Sequence, residues 1–178
     1  MAANNKRLLC IALTFALVAC CCGVSFGDQE GLCTGDNATI DCLRQHPEEL
    51  YQADHNRFWD IVVIAEKKAT NSKDIKDTIG FLRLVEEPTS IAEHEEYLYE
   101  IIPTLCVKKP RLFLDALSAS SEETLRRVMT ILKAQIDVEV EGSNLYIDNA
   151  LVSKVLSKYK NEKKYKRIMD MYYAKETP

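Results

Sequence analysis

Glycine and proline are scarce in this chain, six and five among 178 residues, and tryptophan occurs once. So little glycine excludes a collagen-like or low-complexity polymer, and no Gly-rich phosphate loop is present, which argues against a nucleotide enzyme. Histidine is rarer still, at three. There is no Gly-x-Ser-x-Gly elbow, no Cys-x-x-Cys pair and no zinc-type spacing of Cys and His, so the common hydrolase, redox and zinc chemistries lack their motifs. What remains is 47% apolar and 28% charged, the proportions of one ordinary globular domain.

The cysteines, seven in all, are unevenly placed, with four in the first 22 residues. Lys6 and Arg7 stand without an acid before the apolar run Leu8 to Ala19, which is broken only by Thr14. A basic start followed by a short apolar stretch is a secretory signal, here residues 1–27. Ser25 and Gly27 suit signal-peptidase cleavage after Gly27. Leu17-Val18-Ala19-Cys20, directly at the end of the apolar run, resembles the lipobox of bacterial lipoproteins. The resemblance implies that Cys20 is lipidated and becomes the mature N-terminus, which makes a membrane the first partner. In a eukaryote the run Cys20-Cys21-Cys22 would instead invite palmitoylation. An uncleaved anchor over Leu8 to Phe26 is the remaining alternative, weakened by Gly23, Ser25 and the lack of a basic stop-transfer cluster. Each of these readings puts residues 28–178 outside the cytosol or against a membrane.

Charge is also divided. Residues 28–149 carry 13 basic and 24 acidic groups, net -11, whereas residues 150–178 carry 8 and 3, net +5. An acidic body excludes a nucleic-acid-binding main domain, which needs a positive surface. The basic residues Lys154, Lys158, Lys160, Lys163, Lys164, Lys166 and Arg167 alternate with Tyr159, Tyr165, Ile168, Met169 and Tyr172 in what reads as an amphipathic helix over 148–175. Two uses follow: contact with an anionic membrane, or docking of the apolar stripe on the body with the lysines against the acids of residues 86–100. Docking is the preferred reading.

Export permits a disulfide between Cys33 and Cys42, whose short loop would contribute about 2–3 kcal/mol. Cys106 lies in the apolar setting Ile101 to Val107 and reads as a buried free thiol. Asn37-Ala38-Thr39 is a glycosylation sequon, meaningful only in a eukaryotic secretory pathway.

The body predicts an all-α fold of six to eight helices. Leu125, Val128, Met129, Leu132 and Ile136 keep helical spacing, with Ser120 and Glu123 as a capping box, and Ser90 with Glu93 as another. Arg57 to Ala69 is apolar on nearly every side and is expected to be central. Ile75, Ile79, Leu82 and Val85 form the next helix, and Pro103 is expected to kink or break the one after. Residues Asp137 to Ile147 could be strand, but a lone hairpin is marginal, so a helix end and loop are expected. Helix lengths, proline placement and a spacing of about 35–40 residues per pair resemble HEAT-like or armadillo-like helical arrays. A compact bundle fits the same periods.

Glu93-His94-Glu95-Glu96 with Glu100 fails the helical metal patterns, since position 98 is Leu98 and position 91 is Ile91. His55 stands near Asp54 and Asp60 without a nucleophile motif, and no metal or cofactor is expected. The reading reached is an exported, lipid-anchored helical module that binds an unidentified protein and is not an enzyme. The alternative is a compact bundle binding a small ligand or inhibiting an enzyme. The candidate site residues are Cys20 for the lipid, Cys33 and Cys42 for a bridge, and Lys154, Lys158, Lys163, Lys164, Lys166 and Arg167 for surface binding.

Overall fold

The computed structural model describes Cys33, residues 39–86 and residues 90–174; residues 1–27 with Cys20, read from the sequence as an export signal, and the sequon residue Asn37 lie outside the described residues. The described residues are all-α apart from one small hairpin. In order come α1 (Ile40–Gln45), α2 (Pro47–Ala53), α3 (His55–Asn71), α4 (Ile75–Leu82), α5 (Ala92–Lys108), α6 (Pro110–Ala119) and α7 (Glu122–Lys133). Strands β1 (Asp137–Glu139) and β2 (Tyr146–Asp148) follow, then α8 (Asn149–Ser157) and α9 (Lys166–Tyr173), with single 3-10 turns at Arg83–Val85 and Lys163–Tyr165.

Local chemistry explains where the helices start. The side chains of Thr39, Asp54, Asp74, Ser121 and Asp148 each accept from a backbone N–H in the first turn of the helix that follows, satisfying donors that have no partner within the helix. Pro47 and Pro110 open α2 and α6, where a missing N–H costs nothing.

Both expected capping boxes are replaced. Ser121, not Ser120, caps α7 and accepts from Thr124 N–H at 3.0 Å, because the Ser120 hydroxyl is already donated back to the Ala116 carbonyl at the end of α6, at 2.8 Å. At α5, Ser90 donates its N–H and its hydroxyl to Glu48 of α2, at 3.0 and 2.8 Å, while Glu93 accepts from the Tyr51 hydroxyl at 2.9 Å. Tertiary partners on α2 have taken over the groups that a local box would use. Pro103 does not break α5, which runs unbroken from Ala92 to Lys108. Pro103 is buried beside Ile102, Leu105 and Cys106, so the core packing of that turn outweighs the one lost hydrogen bond.

The expected loop at 137–147 is a hairpin, with Val138 opposite Ile147 and Gly142 at φ 71 in the turn. It is not a lone hairpin. Ile147 is fully buried, β2 lies on α5, and the Asn149 amide ties its base to the end of α7. That amide accepts from Ile136 N–H at 3.0 Å and donates to Ala134 O at 2.7 Å. Ile136, counted in the helical period, therefore lies beyond α7 and is buried by the hairpin's base.

Packing proceeds mostly between near neighbours in the chain. α3 lies against α1, α2 and α4; α4 lies against α6; α5 lies against α6, α7, α8 and β2; and α9 closes over α6 and α7. One continuous cluster of buried side chains runs from Cys33 and Leu43 to Ile168 and Met169. α3 is not enclosed on every side. Phe58, Ile61, Val62, Ala65 and Ala69 are buried, but Ile64 is 51% exposed. The basic segment 148–175, expected as one helix, is two helices separated by a turn and the 3-10 segment.

The chief polar tie across the domain is Glu86. Its side chain is 12% exposed and accepts from Arg44 of α1, from the Ser121 hydroxyl at 2.8 Å and from the Thr124 hydroxyl. Burial pushes the carboxyl up, but the hydroxyls of Thr124 and Ser121 and the charges of Arg44 and Arg83 outweigh it and hold it below the usual value. Replacing Glu86 by Ala removes a part-buried acceptor shared by Arg44 and two hydroxyls, and is expected to cost about 2–3 kcal/mol in urea unfolding. Asp41→Ala, at a side chain 63% exposed on the same network, should leave the midpoint nearly unchanged.

Candidate functional site

The six basic residues singled out from the sequence are all exposed, but they divide into two sets. Lys164 pairs with Asp115 of α6 at 2.6 Å and lies over the Tyr165 ring, and Arg167 pairs with Glu122 at the start of α7. Between them Tyr165 is fully buried, its hydroxyl donating to Asp115 at 2.5 Å. These residues clamp the C-terminal segment to α6 and α7. The acids that receive them are therefore Asp115 and Glu122, not those of residues 86–100, because α9 packs beside α6 and α7. Lys166 pairs with Asp170 along its own helix. Lys154, Lys158 and Lys163 pair with no acid among the described residues. Lys163 and Lys166 line a cleft of about 430 Å³ with Lys160, Glu162, Asp170 and Tyr173. Lys160 lies over the Tyr173 ring, 4.9 Å from its centre.

Cys33 and Cys42 are bonded, with Cα atoms 5.7 Å apart, and Cys33 holds φ 54, a conformation rare outside glycine. Arg57 of α3 donates from Nε to the Cys33 carbonyl at 3.2 Å, so the bridge is seated on α3 as well as on α1. Cys106 is fully buried in α5, and burial pushes its thiol up to about 12, the reverse of what a nucleophile needs.

His55 and His94 sit in an aromatic seam where α2, α3 and α5 meet. His55 is exposed; its Nε2 accepts from Trp59 Nε1–H at 3.2 Å and lies 3.8 Å from Glu93. His94 is 3% exposed and stands edge-on to Phe58 and Trp59, with ring centres 5.4 and 6.5 Å away. Its Nε2 is buried with no hydrogen-bond partner. Tyr97 closes the seam, donating its hydroxyl to Glu66 at 2.7 Å; burial first, then Glu66, pushes that phenol well above its usual range. No group of three or more His, Cys, Asp or Glu among the described residues is placed to hold a metal ion.

A groove that the sequence reading did not single out lies between α1, α3 and α4. It has a volume of about 280 Å³, a floor of Ile40, Ile61, Ile64 and Ala65, and a rim of Arg57, Lys68 and Lys76 with the single acid Asp77. A signal for it was present. Positions 57, 61, 64, 65 and 68 share one face of a helix, so a mixed basic and apolar stripe could have been separated from the fully apolar face carrying Phe58, Val62 and Ala69.

The burial of His94 predicts a pH dependence. Desolvation lowers it from the ordinary 6.5 to about 4, so the unfolded chain takes up this proton before the folded one does. The resulting stability is complete above the unfolded value and is lost as pH falls through about 4, by at most about 3 kcal/mol. His94→Phe should flatten the stability profile across that window in urea unfolding at stepped pH, leaving the part due to carboxylates. In native protein Cys106 should resist thiol reagents and react on unfolding.

Compared with protein-family models, with curated proteins and with solved structures, the chain matches none.

Proposed function

We propose that this chain is an exported helical protein, held at a membrane by a lipid on Cys20, and that it works by binding another protein rather than by catalysis. The observation that carries the proposal is the Cys33–Cys42 bridge. A disulfide in a small domain belongs to an oxidising compartment, which agrees with the basic and apolar signal of residues 1–27 and its lipobox-like end. The bridge stands at the start of the folded body, so the segment leading back to Cys20 meets a fixed point.

The non-catalytic part is supported by where the reactive groups went. Cys106 is sealed in the core, His94 is buried without a polar partner, and the Nε2 of His55 is occupied by Trp59. Only His55 meets a distant acid, Glu93 at 3.8 Å, and both side chains are exposed, whereas acid-base or nucleophilic chemistry calls for such groups converging in a cavity. What the surface offers is helix faces and shallow grooves, suited to binding.

Intact mass of the protein from cells fed a labelled fatty acid tests the proposal. The expected product begins at Cys20, carries the label, and is lighter than the fully reduced chain by the hydrogens lost in the Cys33–Cys42 bridge. A product beginning at Asp28 without label overturns the anchor, and one with both thiols free overturns export to an oxidising compartment.

A further inference from the structure

The groove between α1, α3 and α4 is a basic patch on an acidic body. Residues 28–149 sum to -11, yet Arg57, Lys68 and Lys76 gather at this rim against Asp77 alone. Lys68 and Lys76 are exposed and pair with no acid among the described residues. Ile64, 51% exposed, lines the same groove with Ile40, Ile61 and Ala65. Cations flanking an exposed aliphatic side chain are the composition of an interfacial surface, where the charges meet anionic headgroups and the apolar group enters among them.

The position of the tether selects the occupant. Cys33 is fastened next to this groove, its carbonyl held by Arg57 and its sulfur by Cys42. From Cys33 back to Cys20 is thirteen residues, a reach of at most roughly 45 Å when fully extended. A domain tied to a bilayer on so short a lead meets that bilayer at high effective concentration, so a weak surface contact is enough to orient it. Cys33, the first of the described residues, is held by one of the cations of this face, Arg57.

We propose that the face of α3 and α4 bearing Ile64, Lys68 and Lys76 is the surface on which this domain rests against an anionic lipid bilayer. The inference deepens the reading of Cys20 as a lipid anchor and rests on it for the proximity of the bilayer, but not for the chemistry of the contact. The opposite side, with α5, α7 and the hairpin, then faces away from the membrane and is free for a protein partner.

The test is lysine footprinting of the protein as the cell processes it, mixed with phosphatidylcholine vesicles with or without phosphatidylglycerol, using an amine-acetylating reagent and mass-spectrometric readout. Lys68 and Lys76 should become protected only on the vesicles containing phosphatidylglycerol, while Lys158 and Lys163 stay reactive. Protection of Lys158 and Lys163 instead, or equal reactivity of Lys68 and Lys76 on both vesicles, overturns the proposal. The same spectra report whether the chain carries lipid. If it does not, the anchor fails separately, and the footprint with excess anionic vesicles still decides the surface by the same criteria. Where the protein is unacylated, Lys68→Glu with Lys76→Glu should weaken its binding to these vesicles roughly twenty-fold, and Lys158→Glu with Lys163→Glu only slightly. The reverse order of the two pairs overturns the proposal.

Discussion

Six of the nine helices among the described residues run ten residues or fewer, and helices that short do not persist alone in water. Their existence depends on burying one face, and the whole domain follows from that constraint. α4 is the clearest case. With eight residues it survives because Phe81 and Leu82 are fully buried while α3 and α6 cover it from two sides. α5, at seventeen residues, is the piece against which α6, α7, α8 and the hairpin are assembled, which explains why it tolerates a proline in its interior. Glu86 adds a polar tie that apolar packing cannot supply, since its partners must be Arg44 and the Ser121 and Thr124 hydroxyls at one spacing. Such a carboxylate fixes how α1 and α7 lie relative to the turn after α4.

The uneven charge of the chain acquires a physical meaning in the structure. Part of the basic C-terminal stretch is spent internally, with Lys164 and Arg167 closing α9 onto Asp115 and Glu122. Burial of Tyr165 between those pairs shows that the clamp is a packed joint and not a loose surface contact. Cations with no acid partner among the described residues include Lys154, Lys158 and Lys163 in the tail and Lys67, Lys68, Lys73 and Lys76 on or between α3 and α4, so the tail does not account for all the positive surface.

Much of the all-α architecture was readable because apolar periods report a buried face whatever the partner is. Leu125, Val128, Met129 and Leu132 are all buried on α7, and Ile168 and Met169 on α9. Element boundaries were harder, because they depend on competition for hydrogen bonds that distance in sequence conceals. Ser90 and Glu93 look like a local cap, yet Glu48 and Tyr51, some forty residues earlier, claim them. The hairpin was missed for a related reason: its stability comes from α5 and from the Asn149 amide, neither of which is visible in residues 137–147 alone. The Cys33–Cys42 pairing was accessible from spacing and export together. The groove around Ile64 was overlooked because α3 is apolar enough to suggest burial all round, and only the arrangement of α1, α2 and α4 shows which side stays open.

The buried thiol of Cys106 bears on how the chain is oxidised. Cys33, Cys42 and Cys106 allow three pairings among themselves, and an oxidant does not distinguish among them. Any bridge from Cys106 to Cys33 or Cys42 would have to pull a fully buried side chain of α5 from its place, which is incompatible with Ile102, Leu105 and Cys106 packed in the core. With the helix seated, burial keeps the Cys106 thiol protonated and away from exchange, and the pairing that remains open is Cys33 with Cys42.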